Sequence, residues 1–296
     1  MADIGYFTAG ITYSPTYGVP TDLELGAVDA NGTAWLIRGW QGMGVDGVAT
    51  SGQVVQKGGD HGTLATPQWY GSRTITLTIH ATARTQALRD VARAFLPMAI
   101  PVGEGGGNDL ALLRWDNEPV PVQMGVRSNG PPVETRMTLN DVEWSVLLVA
   151  PDPRKYSTVL HSATVNSGVL PAGLAPPLTP PLTLPAGAPP MELAITNAGN
   201  FNTGPFITIY GPVVAPGILN LLTGQQVKWS AVTLAAGDVM VIDFLNRSAT
   251  YNGVYRTADV TSSWSMLLPK VPTTYQMLGT PSAGAYMTAS WRDAWI

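Results

Sequence analysis

Three histidines, at positions 61, 80 and 161, are the only imidazoles the chain has to work with. His61 follows Asp60 in GGDHG, a pairing that could serve a metal or a general base. His80 comes near the end of the alternating stretch WYGSRTITLTIHA (69–81), and His161 has no carboxylate near it in sequence. Zinc asks for spacings such as HxH or HExxH and a third ligand of similar quality, and neither spacing occurs. There is no cysteine, so thiolate metal sites, disulfides and cysteine nucleophiles are excluded. A serine nucleophile on a strained turn needs GxSxG, which is absent. GEGGGND (103–109) has the glycines of a phosphate loop without the GK[ST] ending or a following helix, and reads as a hairpin tip.

Carboxylates are the remaining reagents. Asp116 and Glu118, Asp141 and Glu143, and Asp238 and Asp243 are paired by proximity in sequence. Glycoside hydrolysis needs such a pair facing each other across a cleft, whereas acids near strand ends usually cap or meet solvent. No catalytic, cofactor-binding or metal-binding residue is assigned on this basis, and the chain reads as a non-enzyme. The nine tryptophans divide by context. Those in KWSAV (228–232) and SSWSMLLP (262–269) share strands with apolar residues and are expected in a core. Trp40, Trp69 and Trp115 lie near turns, where they could serve a protein interface.

The elements that would position these residues are mostly strands. LELGAV (23–28), the turn-forming DANG and AWLIRG (34–39) predict a hairpin. In the 69–81 stretch, Ile75, Leu77 and Ile79 face one side, and Thr74, Thr76, Thr78 and His80 the other, a polar face at a strand end. TQALRDVARAFLPMA (85–99) spaces Leu88, Val91, Ala92 and Phe95 as a helix does, with Thr85 as N-cap and Pro97 marking the end. LALLRWD (110–116), PVPVQMGVRS (119–128), TRMTLND (135–141) and VEWSVLLVAPDP (142–153) continue as strands. Between Tyr156 and Met191 no residue is charged, and 171–190 holds eight prolines, which suit extended backbone rather than a sheet interior. The expected organisation is residues 1–155, an N-terminal barrel-like β domain with one helix; a Pro-rich linker over 156–190; and residues 191–296, an all-strand jelly-roll β-sandwich.

Composition agrees with a mainly β protein. Of 296 residues, 45% are apolar and only 12% charged, with 32 Gly and 25 Pro; soluble domains average about 25% charged. Net charge is −4, and Arg84, Arg89 and Arg93, the nearest approach to a basic stripe, are interrupted by Asp90. Sequence-specific nucleic-acid binding is therefore not expected. MADIGYFTAG has no basic region leading into an apolar one, so no export signal is expected. The long uncharged stretch is too rich in proline to span a membrane, so no membrane insertion is expected.

Several stretches, taken in order, resemble one family. VEWSVLLVAPDPRKYS (142–157) is similar to the end of the N-terminal domain of the distal tail proteins of long-tailed (siphovirus) bacteriophages. ITNAGNFNTGPFITIYGPV (195–213) resembles the start of their C-terminal domain. LNLLTG (around 220–224), LAAGDVMVIDFLNRSATYNG (234–253) and the closing WRDAWI (291–296) follow in that family's order, as does GGDHG before YGSRTITLTI.

The resemblance implies a structural role in the virion, at the distal end of the tail, for a protein made in the host cytoplasm. The N-terminal domain would form a homohexameric ring with DNA passing through it, and a galectin-like sandwich would hang outside. The implied partners are the tail-tube protein above, the central hub or tail-fibre proteins below, and the tape-measure protein. An acidic chain suits a DNA lumen, because a basic one would hold the DNA. Asp152 to Tyr156 and Asn197 to Asn200 would be fold determinants, with Asp152 in a turn before Pro153 and Asn197 and Asn200 at positive-φ turn positions. His80 would end a strand whose Ile/Leu face packs on the 85–96 helix. The alternative is a carbohydrate-binding module, with host surface glycans as its partner.

Overall fold

The computed structural model describes residues 8–14, 20–44, 46–52, 54–100, 110–116, 118–168, 190–257 and 260–296. The chain forms two units, one up to Thr158 and one from Val159 to Trp295. The hairpin tip expected at 103–109 lies outside the described residues, as does most of the Pro-rich stretch. Part of the expected linker is a strand: His161–Asn166 pairs along its whole length with Tyr286–Trp291. Its Ser, Thr and Asn side chains alternate with the half-buried His161, Ala163 and Val165, the pattern of a sheet strand with one wet face.

In the N-terminal unit one antiparallel sheet runs in the order Thr21–Leu25, Ala9–Tyr13, Ala111–Trp115, Val122–Ser128, Asp141–Ala150, Trp69–Thr82, Ala34–Gln41, Ala27–Val28. The first and last strands of that path are separated in sequence by Gly26 alone. The sheet therefore curls until its edges approach, but no ladder joins them. It is an open, curved sheet rather than a closed barrel.

Alternation decides which side is inside. Ile75, Leu77, Ile79 and Ala81 are buried, as are Val142, Trp144, Val146 and Leu148 on the strand beside them. The helix Gln86–Ala99 contacts this sheet. Thr85 caps it, its hydroxyl accepting from the Leu88 N–H at 3.3 Å. Phe95 meets Trp35 edge-on at 6.0 Å, and Trp35 stacks on Trp144 at 6.0 Å and 14°, so three aromatic rings fasten helix to sheet. Pro97 does not end the helix. It sits in the last turn, where its missing N–H removes only one bond, and the Ile100 N–H closes on the Leu96 carbonyl at 3.1 Å.

The C-terminal unit is a sandwich of two antiparallel sheets. One runs His161–Asn166, Tyr286–Trp291, Phe206–Tyr210, Val239–Asp243, Ser248–Tyr251, Val254–Tyr255. The other runs Glu192–Ile195, Thr273–Pro281, Val213–Asn220, Gln226–Lys228, Thr261–Ser262. Ile207, Ile209, Met240, Ile242 and Met287 from the first share a core with Leu193, Ile195, Ile218, Val227 and Tyr275 from the second. Trp229 and Phe244 complete it.

Candidate functional site: enclosed polar clusters and exposed surfaces

His80 lies where its strand directs it, on the outer face of the sheet with Glu143 and Leu36 as cross-strand neighbours. That face is not wet there: His80 is only 4% exposed. Arg38 Nη2 is 3.4 Å from His80 Nε2 and the Thr82 hydroxyl 3.0 Å from it. Asp141 Oδ1 is 3.7 Å from Nε2, and Glu143 Oε2 3.9 Å from Nδ1. Burial lowers the His80 pKa, and the Arg38 charge lowers it further against the pull of Asp141 and Glu143. The Asp141 carboxyl is held below its usual value chiefly by hydrogen bonds from Thr82 and Thr138. This is a neutral imidazole inside a charged brace across three strands. Sequence reasoning missed the brace, because its members lie on separate strands and only the pairing register unites them.

The other histidines are elsewhere. His61 is exposed at the tip of the small hairpin Val55–Gln56 and Thr63–Leu64, where its backbone N–H, not its ring, meets Asp60 Oδ1 at 2.7 Å. His161 stacks on Trp291 at 5.4 Å, and its Nε2 is 3.1 Å from Asp293 Oδ2. The sequence concealed that partner behind 132 residues.

Each paired carboxylate is engaged by a neighbour in the fold. Asp116 accepts from the Thr8 amide at 3.1 Å and from its hydroxyl, and Glu118 accepts from Lys155 Nζ at 2.7 Å. Asp238 takes the Ala235 amide, the Tyr251 hydroxyl and the Asn252 amide, each within 2.7 to 2.8 Å. Asp243 caps the following turn through the Leu245 and Asn246 amides. Among the described residues no group of three His, Cys, Asp or Glu could hold a metal ion, and no helix is long and apolar enough to cross a membrane.

The motif residues hold turns. Asp152 Oδ1 accepts from the Arg154 amide at 3.1 Å, the turn expected before Pro153, and its Oδ2 accepts from the Tyr156 hydroxyl at 2.7 Å. Burial first, then the Asp152 charge, raises the Tyr156 pKa. Asn197 and Asn200 are not among the positive-φ residues, in contrast to what the motif suggested. Asn197 works through its side chain instead. Its fully buried amide oxygen accepts from Gly199 at 3.0 Å and Ala294 at 3.1 Å, and its nitrogen donates to Phe201 O at 2.6 Å. Within YNG, Asn252 and Gly253 take the positive φ.

Three large aromatics of the N-terminal unit are exposed among the described residues. Trp69, Tyr70 and Trp40 are 59%, 48% and 47% exposed, near the hairpin that exposes Val54, Val55 and Leu64. Trp115, expected with them, is buried in the sheet interior, since it alternates in phase with Leu113 and Ala111. Trp229 is buried and Trp264 half-buried against Phe244, as the sequence indicated. In the C-terminal unit the exposed large aromatics are Phe206 and Tyr255, not a row of tryptophans.

Residues 198–295 match the siphovirus-type tail component, C-terminal domain. The resemblance read from the sequence is borne out by that match. Among solved structures, SPP1 Dit (gp 19.1), described as a paradigm of the hub adsorption apparatus in phages infecting Gram-positive bacteria, superposes with a TM-score of 0.60. It does so at 13% identity, over 88% of this chain and 94% of that one. The baseplate of phage P2 in its activated conformation matches with Ca at TM-score 0.50 and 10% identity (96% and 97% covered). With Sr it matches at 0.51 and 10% (97% and 98%). No curated protein matches the sequence.

Proposed function

We propose that this protein is a ring-forming component of a siphovirus tail tip, joining the tail tube to the hub or fibre proteins and letting DNA pass. The observation that carries the reading is the family match over residues 198–295. A fold like that of SPP1 Dit over nearly the whole chain supports it. The role is non-enzymatic: His80 is enclosed in its brace, and the paired carboxylates are engaged in turns and ion pairs. In this reading the N-terminal unit makes the self-contacts of a homohexamer, with the exposed Trp40, Trp69 and Tyr70 as candidate contact residues.

Negative-stain electron microscopy with solution mass tests it, on the protein alone and mixed with the tail-tube protein of the same phage. Rings with a central hole and a mass near six chains are expected in at least one sample. One-chain particles in both would overturn the reading.

A further inference from the structure

A cleft of about 430 Å³ opens where the N-terminal sheet fails to close. Its floor is apolar: Leu23, Trp35 and Ala92 are buried, and Phe95 stands edge-on to Trp35. Val28 and Val91, 64% and 52% exposed, flank it. Asp22, Glu24 and Asp29 also line it, and no lysine, arginine or histidine does. None of these three acids takes part in an ion pair among the described residues.

Chain geometry makes this more than an acidic corner. Leu23 and Leu25 point inward from Thr21–Leu25, so Asp22 and Glu24 project together from the outer face. That strand and Ala27–Val28 are the two terminal strands of the sheet, and both line the same cleft. A terminal strand has one backbone edge without a strand partner, the usual template for strand addition. Asp22 and Glu24 also line a second cleft of about 360 Å³, which continues past them to Asp116 and to Arg114, its one cation.

We propose that this seam docks an extended segment of another protein in which Lys or Arg alternates with aliphatic residues. The aliphatic side chains settle on Trp35, Phe95 and Val91. The cations meet Asp22 and Glu24, two residues apart and so about 7 Å along the strand, the repeat of same-side residues in any extended partner. Burying apolar area on the floor supplies affinity, and the carboxylates set orientation and reject acidic segments. A second copy of this chain, net charge −4, complements the acidic rim poorly. The inference rests on the cleft and not on the ring reading.

The test uses the full chain and two capped hexapeptides, one alternating Lys with Val and one alternating Glu with Val. Binding is followed by calorimetry and by amide NMR shifts. The Lys–Val peptide should bind, shifting residues 21–31 and 91–95, and the Glu–Val peptide should not. Asp22→Asn with Glu24→Gln should weaken binding about tenfold, the size expected for losing two partly exposed charge contacts. Asn at 22 can still accept from the Thr12 hydroxyl, which bonds Asp22 Oδ1 at 2.8 Å, so the fold is retained and an unchanged unfolding midpoint checks this. Asp60→Asn, at a hairpin tip that lines neither cleft, should leave affinity unchanged. Failure of the Lys–Val peptide to bind, equal affinity for the double variant, or shifts mapping elsewhere would overturn the proposal. So would self-association lost in the double variant, which would make the occupant a second copy. Ring formation is scored separately by mass and microscopy, so the two readings fail independently.

Discussion

Arg73 Nη1 donates to the carbonyl oxygen of Gly42 at 2.9 Å, from a side chain with no exposed surface. The same guanidinium reaches the carbonyls of Gly44 and Asp46 and, through Nε, that of Pro153 at 3.1 Å. Burial lowers its pKa, and nearby Asp46 and Glu118 partly restore it. Gly42 makes the turn feasible: its φ is +84°, and a Cβ there would lie 2.0 Å from the Thr74 carbonyl oxygen. Gly42, Gly44 and Asp46 thus turn their carbonyls to one cation that also holds the backbone at Pro153.

Arg73→Met should therefore leave several buried carbonyls without donors. At about 1–3 kcal/mol for each unsatisfied group, the N-terminal unit should lose about 3 kcal/mol or more. Urea unfolding followed by tryptophan fluorescence reads this. A loss below about 1 kcal/mol would show that water replaces the guanidinium at no cost.

The His80 brace gives the N-terminal unit a pH dependence of known sign. The folded pKa lies below the unfolded value of about 6.5, so the folded state binds fewer protons than the unfolded one as pH falls through that range. Its contribution is complete above about pH 6.5 and declines below it, until the folded pKa is passed. Asp141, also lowered, adds a loss of the same sign that begins near its ordinary pKa of 3.8. His80→Gln should flatten the decline between pH 7 and pH 5 while leaving the one near pH 4. Melting temperatures across pH 2 to 8 measure both, and an unaltered slope between pH 7 and 5 would assign that titration to another group.

A chelator should not change thermal stability, since no described cluster offers three metal-ligating side chains. The melting temperature with and without excess EDTA checks this, and a fall of several degrees would reveal a metal held by residues outside the described set.

What the sequence disclosed and what it hid follow from how far apart the partners are. Ile75, Leu77 and Ile79 reveal their buried face by alternation alone, and Thr85 its cap by residue type, because both are local rules. The burial of His80 needed the register that sets Glu143 opposite it, and register is a long-range property. Trp115 looked like an interface residue from the turn beside it, yet it shares the phase of Leu113 on an interior face. The open seam was illegible for the same reason: adjacency across Gly26 in sequence does not say that the strands on either side end opposite edges of one sheet. His161 read as part of a linker because its stretch is uncharged, but uncharged Thr and Ser can equally face solvent from a strand.

Asn197 carries the clearest prediction in the C-terminal unit. Its amide oxygen serves the N–H groups of Gly199 and Ala294, and its amide nitrogen serves Phe201 O, so one side chain ties the loop entering the sandwich to the chain's last strand. The fit is tight: a Cβ on Gly199 would stand 1.9 Å from the Ala294 carbonyl oxygen, so the backbone segments meet with no room for a side chain between them. Asn197→Ala should strand two buried donors and one acceptor, costing about 3 kcal/mol or more. Asn197→Asp keeps the acceptor but loses the donor and buries a charge, so it should not rescue the loss. Hydrogen exchange of the Ala294 amide distinguishes the cause. Faster exchange there with the Phe206–Tyr210 strand still protected would mark local release of the tie, whereas uniform acceleration would mean that Asn197 holds the whole sandwich together.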